Sequence, residues 1–156
     1  MAEAESNIEF RRTIKASREV AFRAWTSAEH VKEWWRPTET ARCTKCEIDL
    51  RVGGKLLLHM TDLADGSGCE IEGEFREIAK PERLVYSWSG RTDQGVVADS
   101  VVTVEFVAKE DDETELILRH SGLSDPSTRE GHREGWEKML KSYSVHASSP
   151  RWQSKP

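Results

Sequence analysis

Apolar and polar residues alternate along most of the first 120 positions, a period of two that predicts strands. Ile8, Phe10, Arg12 and Ile14 alternate with Glu9, Arg11, Thr13 and Lys15 as a half-buried first strand. Arg12 is the odd member of the inward set and reads as a strand-end arginine whose head snorkels to water. From about Arg42 the alternation resumes. Ile48, Leu50 and Val52 face away from Glu47, Asp49 and Arg51, up to a tight hairpin at Gly53-Gly54. Further inward sets are Leu56, Leu58 and Met60; Cys69, Ile71, Gly73 and Phe75; Leu84, Tyr86 and Trp88; Val102, Val104 and Phe106; and Leu116, Leu118 and His120. Turns fall at Ala64 to Gly68, Pro81-Glu82, Gly90 to Gly95 and Asp111-Asp112.

Two places change period. Ser17 caps a short helix carrying Val20, Ala21, Ala24 and Trp25 on one face; Ser27 caps a second, with Val31, Trp34 and Trp35, which Pro37 ends. The long change comes at Ser127 to His146. Ser127 with Glu130 reads as a capping box, and Trp136, Leu140, Tyr143 and Ala147, with Met139 beside them, form one apolar stripe. The helix is expected over Thr128 to Ala147. Gly131 and Gly135 lie four apart, where missing side chains let a backbone or a ligand come close.

About seven strands joined by short hairpins make an antiparallel sheet, and one long amphipathic helix needs that sheet to lie on. The fold class is therefore α+β: a curved antiparallel sheet of about six or seven strands around a long C-terminal helix, with two short helices after strand 1. Gly53, Gly54 and Gly73 are places where the sheet can bend. Met1 to Asn7 and Ser148 to Pro156 read as flexible tails around a single domain, 8–147.

Composition narrows the partners. The 156 residues carry a formal net charge of -5, which argues against nucleic acid. No apolar run reaches the roughly 18 residues of a membrane span, and the acidic start MAEAESN is not a signal peptide, so no membrane is expected and the compartment is taken as cytoplasmic. Three cysteines are an odd count. Cys43 and Cys46 form a lone C-x-x-C, but on a regular strand positions i and i+3 face opposite ways about 10 Å apart. Plain thiols are expected. His30, His59 and His146 lack ligand spacing, so neither metal nor cofactor is expected. Asp49 and Arg51 share a face and read as an exposed pair that sets the hairpin.

Several stretches resemble a known family when taken in order. They are Arg12-x-Ile14-x-Ala16, Ala24-Trp25-Thr26, Trp34-Trp35, Glu47-Ile-Asp-Leu-Arg-Val-Gly-Gly54, Pro81-Glu-Arg-Leu-Val-Tyr86 with Trp88, Thr114-x-Leu116-x-Leu118-x-His120, and Gly135-Trp136. The order resembles the START-like or SRPBCC superfamily, the helix-grip fold, and within it the AHSA-like family, named for the C-terminal domain of the activator of the heat-shock-protein-90 ATPase. The resemblance spans residues 8 to about 146. It implies a cavity between the long helix and the concave sheet. A superfamily of lipid carriers, hormone receptors, cyclases and chaperone partners leaves the chemistry to the site itself.

The leading expectation is binding of a small hydrophobic or amphipathic molecule, with Met60, Phe75, Trp88, Val104, His120, Trp136 and Met139 as the cavity wall. The second is a protein-interaction module whose partner is a chaperone or other protein in the stress response. The third is a cyclase- or hydrolase-like enzyme using His120, placed last because it needs two converging titratable groups and only one is readable. Monomer and homodimer both remain open.

Overall fold

The computed structural model describes residues 7–36, 38–92 and 95–153. The expected stop at Pro37, and the tail residues 1–6 and 154–156, lie outside them. Seven strands form one antiparallel sheet: β1 (Ile8–Ile14), β2 (Ala41–Ile48), β3 (Lys55–Asp62), β4 (Gly68–Ala79), β5 (Arg83–Thr92), β6 (Gly95–Ala108) and β7 (Thr114–Ser121). Their order is β1-β7-β6-β5-β4-β3-β2, so the run β2 to β7 is a meander and β1 closes onto its end. Helices α1 (Arg18–Thr26) and α2 (Ala28–Trp34) fill the connection from β1 to β2, and α3 (Pro126–Ala147) crosses the concave face. This is the helix-grip α+β architecture that the pattern predicts.

The period-two sets point as expected on β3 to β7: Leu56, Leu58, Ile71, Phe75, Leu84, Tyr86, Trp88, Val102, Val104, Phe106, Leu116, Leu118 and His120 are all buried. Gly73 sits against the carbonyl of Ser87, an approach that no side chain would allow. Arg12 snorkels: its guanidinium lies 5.1 Å from the Phe10 ring centroid and donates to the Arg11 carbonyl at 2.8 Å. Asp49 and Arg51 form an exposed ion pair of 2.8 Å.

Four local expectations are corrected. First, β2 ends at Ile48, and Leu50 and Val52 are 39% and 65% exposed rather than inward. The turn begins earlier because Asp49 to Gly54 folds on its own backbone bonds, Gly54 N–H to the Arg51 carbonyl among them. Second, α3 is capped not by Ser127 but by Asp125, whose carboxylate accepts from Thr128 N–H at 2.9 Å, with Pro126 in the first turn. Third, Ser148 to Gln153 is no loose tail. Pro150–Gln153 forms a helical turn, α4, and its Trp152 ring lies 4.7 Å from His146 and 5.2 Å from His30. Fourth, β2 carries a bulge. Cys43 pairs with Met60 and Lys45 with His59, so Thr44 is an extra residue that reverses the parity beyond it.

Candidate functional site

The interior under α1, α2 and the C-terminal half of α3 is filled with aromatic rings. Trp25 lies 4.9 Å from both Trp34 and Tyr143 and stacks on Trp136 at 6.1 Å. Tyr143 donates from its hydroxyl to the Ala21 carbonyl at 2.7 Å, fastening α3 to α1. The void left among Trp25, Trp34, Trp35, Phe75 and Tyr86 is about 10 Å³. That holds at most one water.

The open space lies at the other end of α3. A groove of about 470 Å³ runs between the helix's N-terminal half and strands β3 to β6. Trp35, Met60, Cys69, Ile71, Trp88, Trp136 and Met139 give it an apolar floor, while Thr38, Asp62, Thr128, His132, Glu134 and Lys138 are polar groups along it. Gly131 and Gly135 line the helical side. A Cβ built on Gly135 meets nothing within 4 Å, so the glycine leaves room instead of admitting another backbone.

Of the expected wall residues, Met60, Trp88, Trp136 and Met139 line this groove. Phe75 borders the small interior void, and Val104 and His120 are wholly buried away from both. Trp88 and Trp136 face each other as expected, but their rings are in contact at 5.2 Å with no cavity between them. Trp35, Cys69 and His132 also line the groove, although they were not among the expected wall residues. Trp35 could have been found from the Trp34-Trp35 pair, since adjacent rings on a helix end cannot share one face.

His120 sits in a closed network. Ser100 gives its one hydroxyl proton to the Trp88 carbonyl at 2.7 Å, so its oxygen accepts from His120 Nε2 at 2.9 Å. His120 Nδ1 is then the acceptor, and Trp136 Nε1 donates to it at 3.0 Å. Burial, with His132 nearby, pushes the His120 pKa down to about 3. His132 is held likewise: Trp88 Nε1 donates to its Nε2 at 3.3 Å, leaving its Nδ1 to donate to the Thr128 carbonyl at 2.9 Å. Burial lowers its pKa as well. Both imidazoles are neutral, with both nitrogens engaged, so neither offers a base to a substrate. Their work is to fix the two indoles that form the groove floor. Trp35 Nε1 differs: it is a buried donor on the groove wall without a partner.

No group of three or more His, Cys, Asp or Glu side chains suited to a metal occurs among the described residues. No helix among them is long and apolar enough to cross a membrane.

Residues 15–144 match the family described as Activator of Hsp90 ATPase homolog 1-like protein. No curated protein matches the chain. Solved structures do. A protein from Chromobacterium violaceum is 25% identical, with a TM-score of 0.79 over 92% of this chain and 99% of its own. An AHSA1-like protein from Aeromonas hydrophila is 20% identical, with a TM-score of 0.76 over 96% and 97%. The AHSA1 protein from Silicibacter pomeroyi is 21% identical, with a TM-score of 0.76 over 89% and 95%.

Proposed function

The chain belongs to the Activator of Hsp90 ATPase homolog 1-like family, and on that premise we propose that it binds a small amphipathic molecule in the groove beside α3. The observation that carries this reading is the contrast between a groove of about 470 Å³ and an interior void of about 10 Å³. Ligand sites usually measure about 300–1,000 Å³, mostly apolar with a few placed polar groups. The apolar body of the ligand would lie on Trp88, Trp136, Met60 and Met139. Its polar end would face Asp62 and Lys138, and an acceptor on it would satisfy Trp35 Nε1. A neutral His120 with both nitrogens engaged favours binding over catalysis.

The test is a tryptophan fluorescence titration with decanoic acid, an aromatic ketone and a polycyclic alcohol, on the wild type and on Gly135→Phe. The phenyl ring enters open space, so the variant should keep its melt and lose binding at least tenfold. A wild type that binds none of these compounds, or a variant that binds them unchanged, overturns the reading. A second reading, a docking site for a partner protein, is favoured by Val96, which lines the groove and is 70% exposed, and by Leu63 beside Asp62, 65% exposed. A chaperone ATPase domain that shifted the backbone amide signals of Leu63 and Val96, with no small molecule bound, would select it.

A further inference from the structure

The bulge at Thr44 overturns the expectation that Cys43 and Cys46 face apart. Cys43 pairs with Met60 and Cys46 with Leu58, so three steps on β2 match two steps on β3. Both cysteines therefore lie on the concave side, together with buried Ala41 and half-buried Ile48, while Arg42, Lys45 and Glu47 point out. Their Cα atoms are spaced as two strand positions, about 6.7 Å, instead of three. That is the upper end of the roughly 4.4–6.8 Å range of disulfides. β2 is an edge strand of the sheet, and Cys43 is half-buried while Cys46 is buried. One thiol is reachable and the other waits behind it.

We infer that Cys43 and Cys46 are a reversible redox pair, in which a hydroperoxide oxidises Cys43 and Cys46 then closes a disulfide with it. In the first step the Cys43 sulfur attacks the peroxide. An S–O bond forms, the O–O bond breaks, and the leaving alkoxide takes a proton to become an alcohol. In the second, the Cys46 sulfur attacks the sulfenic sulfur of Cys43. An S–S bond forms, the S–O bond breaks, and hydroxide leaves with the Cys46 proton as water. Two thiols are oxidised and one peroxide is reduced.

The surroundings divide the roles in the same way. Cys43 Sγ donates to the Lys45 carbonyl at 3.3 Å. The neighbouring Cys46 side chain is the largest influence lowering the Cys43 pKa; the Lys45 backbone and the Lys32 charge add to it, against burial. Cys46 itself is raised, chiefly by the Cys43 side chain and by burial. Cys69 is pushed up to about 11 by burial, with Cys43 and Glu70 adding; it lies on β4, across β3 from Cys43. A disulfide on an edge strand, with one sulfur only half-buried, is open to reductant. Because Cys43 pairs with Met60 and Met60 pairs with Cys69, closing the disulfide pulls on the strand that carries the groove wall.

The experiment treats the full chain with tert-butyl hydroperoxide and counts thiols under denaturing conditions. The count should fall from three, the number of free cysteines, to one, and return with dithiothreitol. Peptide mapping should join Cys43 to Cys46. Cys46→Ala should trap a sulfenic acid on Cys43 with dimedone, and Cys43→Ser, at the half-buried position, should leave Cys46 unoxidised. If one variant fails to fold, the thiol count and the mapping on the wild type still decide. A count that stays at three, a bridge to Cys69, or a bridge between two chains overturns the inference.

Discussion

The two halves of α3 lie over the same sheet and do opposite things. From Trp136 onwards the helix presents Trp136, Leu140, Tyr143 and Ala147, all buried, and packs its rings against Trp25 and Trp34. Before Trp136 the stripe gives way to His132, Thr128 and two glycines, and a groove of about 470 Å³ remains. The difference is made by side-chain volume on one helix, where aromatic rings seal one end and glycines leave the other open. A helix of this fold can thus be core and groove wall at once, the two overlapping from Trp136 to Met139.

That tryptophan is where the comparison breaks most easily. Trp136→Ala removes a ring that is 3% exposed, together with the N–H that bonds His120. If Trp136 belongs to the packed half, the cost is about 3–5 kcal/mol, read as a fall in the denaturation midpoint. A loss below about 2 kcal/mol would move the boundary between core and groove towards the C-terminus, since such a site collapses or already faces solvent.

Acid provides the next largest effect. Burial pushes His120 down to about 3, and burial with His30 nearby pushes His146 to about 4, from an ordinary 6.5. The folded protein holds both neutral, whereas the unfolded chain takes up protons below about 6.5. Stability is therefore full above pH 6.5 and falls as the pH drops, by up to about 1.4 kcal/mol per pH unit for each group. The His146 contribution levels off near pH 4 and that of His120 near pH 3. Denaturant melts between pH 7 and pH 4 should show this slope, and a flat profile would place the imidazoles in water. His120 serves the packed floor, and His146, 2.8 Å from His30 and against Trp152, holds the C-terminal turn.

The smallest effect sharpens the open half. Gly135→Ala should stabilise the protein by up to about 1 kcal/mol, the difference in helix propensity, because its Cβ meets nothing within 4 Å. A raised melting temperature is the expected reading. A lowered one would mean that the groove is narrower than described.

The sequence carried much of this, unevenly. Strand faces on β3 to β7 were legible because each side chain alternates between core and water. The helical stripe was legible from Trp136 to Ala147 for the same reason. The bulge was not, because one extra residue at Thr44 leaves no mark in a stretch whose polar side chains already face out. Strand parity and helical phase point to Met60, Trp88, Trp136 and Met139, which line the groove. Parity tells which face a side chain takes, not how far along the sheet the aromatic filling stops, so Phe75, Val104 and His120 were placed on a cavity that is instead solid core. The last turn of helix, Pro150–Gln153, has no period to read; it docks through Trp152 onto histidines far apart in sequence.

The bulge on β2 has one more consequence. A meander closed at one end by β1 still has two open edges, and β2 is one of them. An unpaired, flat edge strand is a template on which another chain can add itself and begin to aggregate. Thr44 breaks the repeat there, twisting the strand, and it places Arg42, Lys45 and Glu47 outward on the same stretch. Straightening the edge by deleting Thr44 would leave Cys43 and Cys46 on one face, two regular positions apart, and give β2 an unbroken ladder to offer. The bulge that puts both thiols of the C-x-x-C on one face also interrupts the edge on which a neighbouring chain would have to pair.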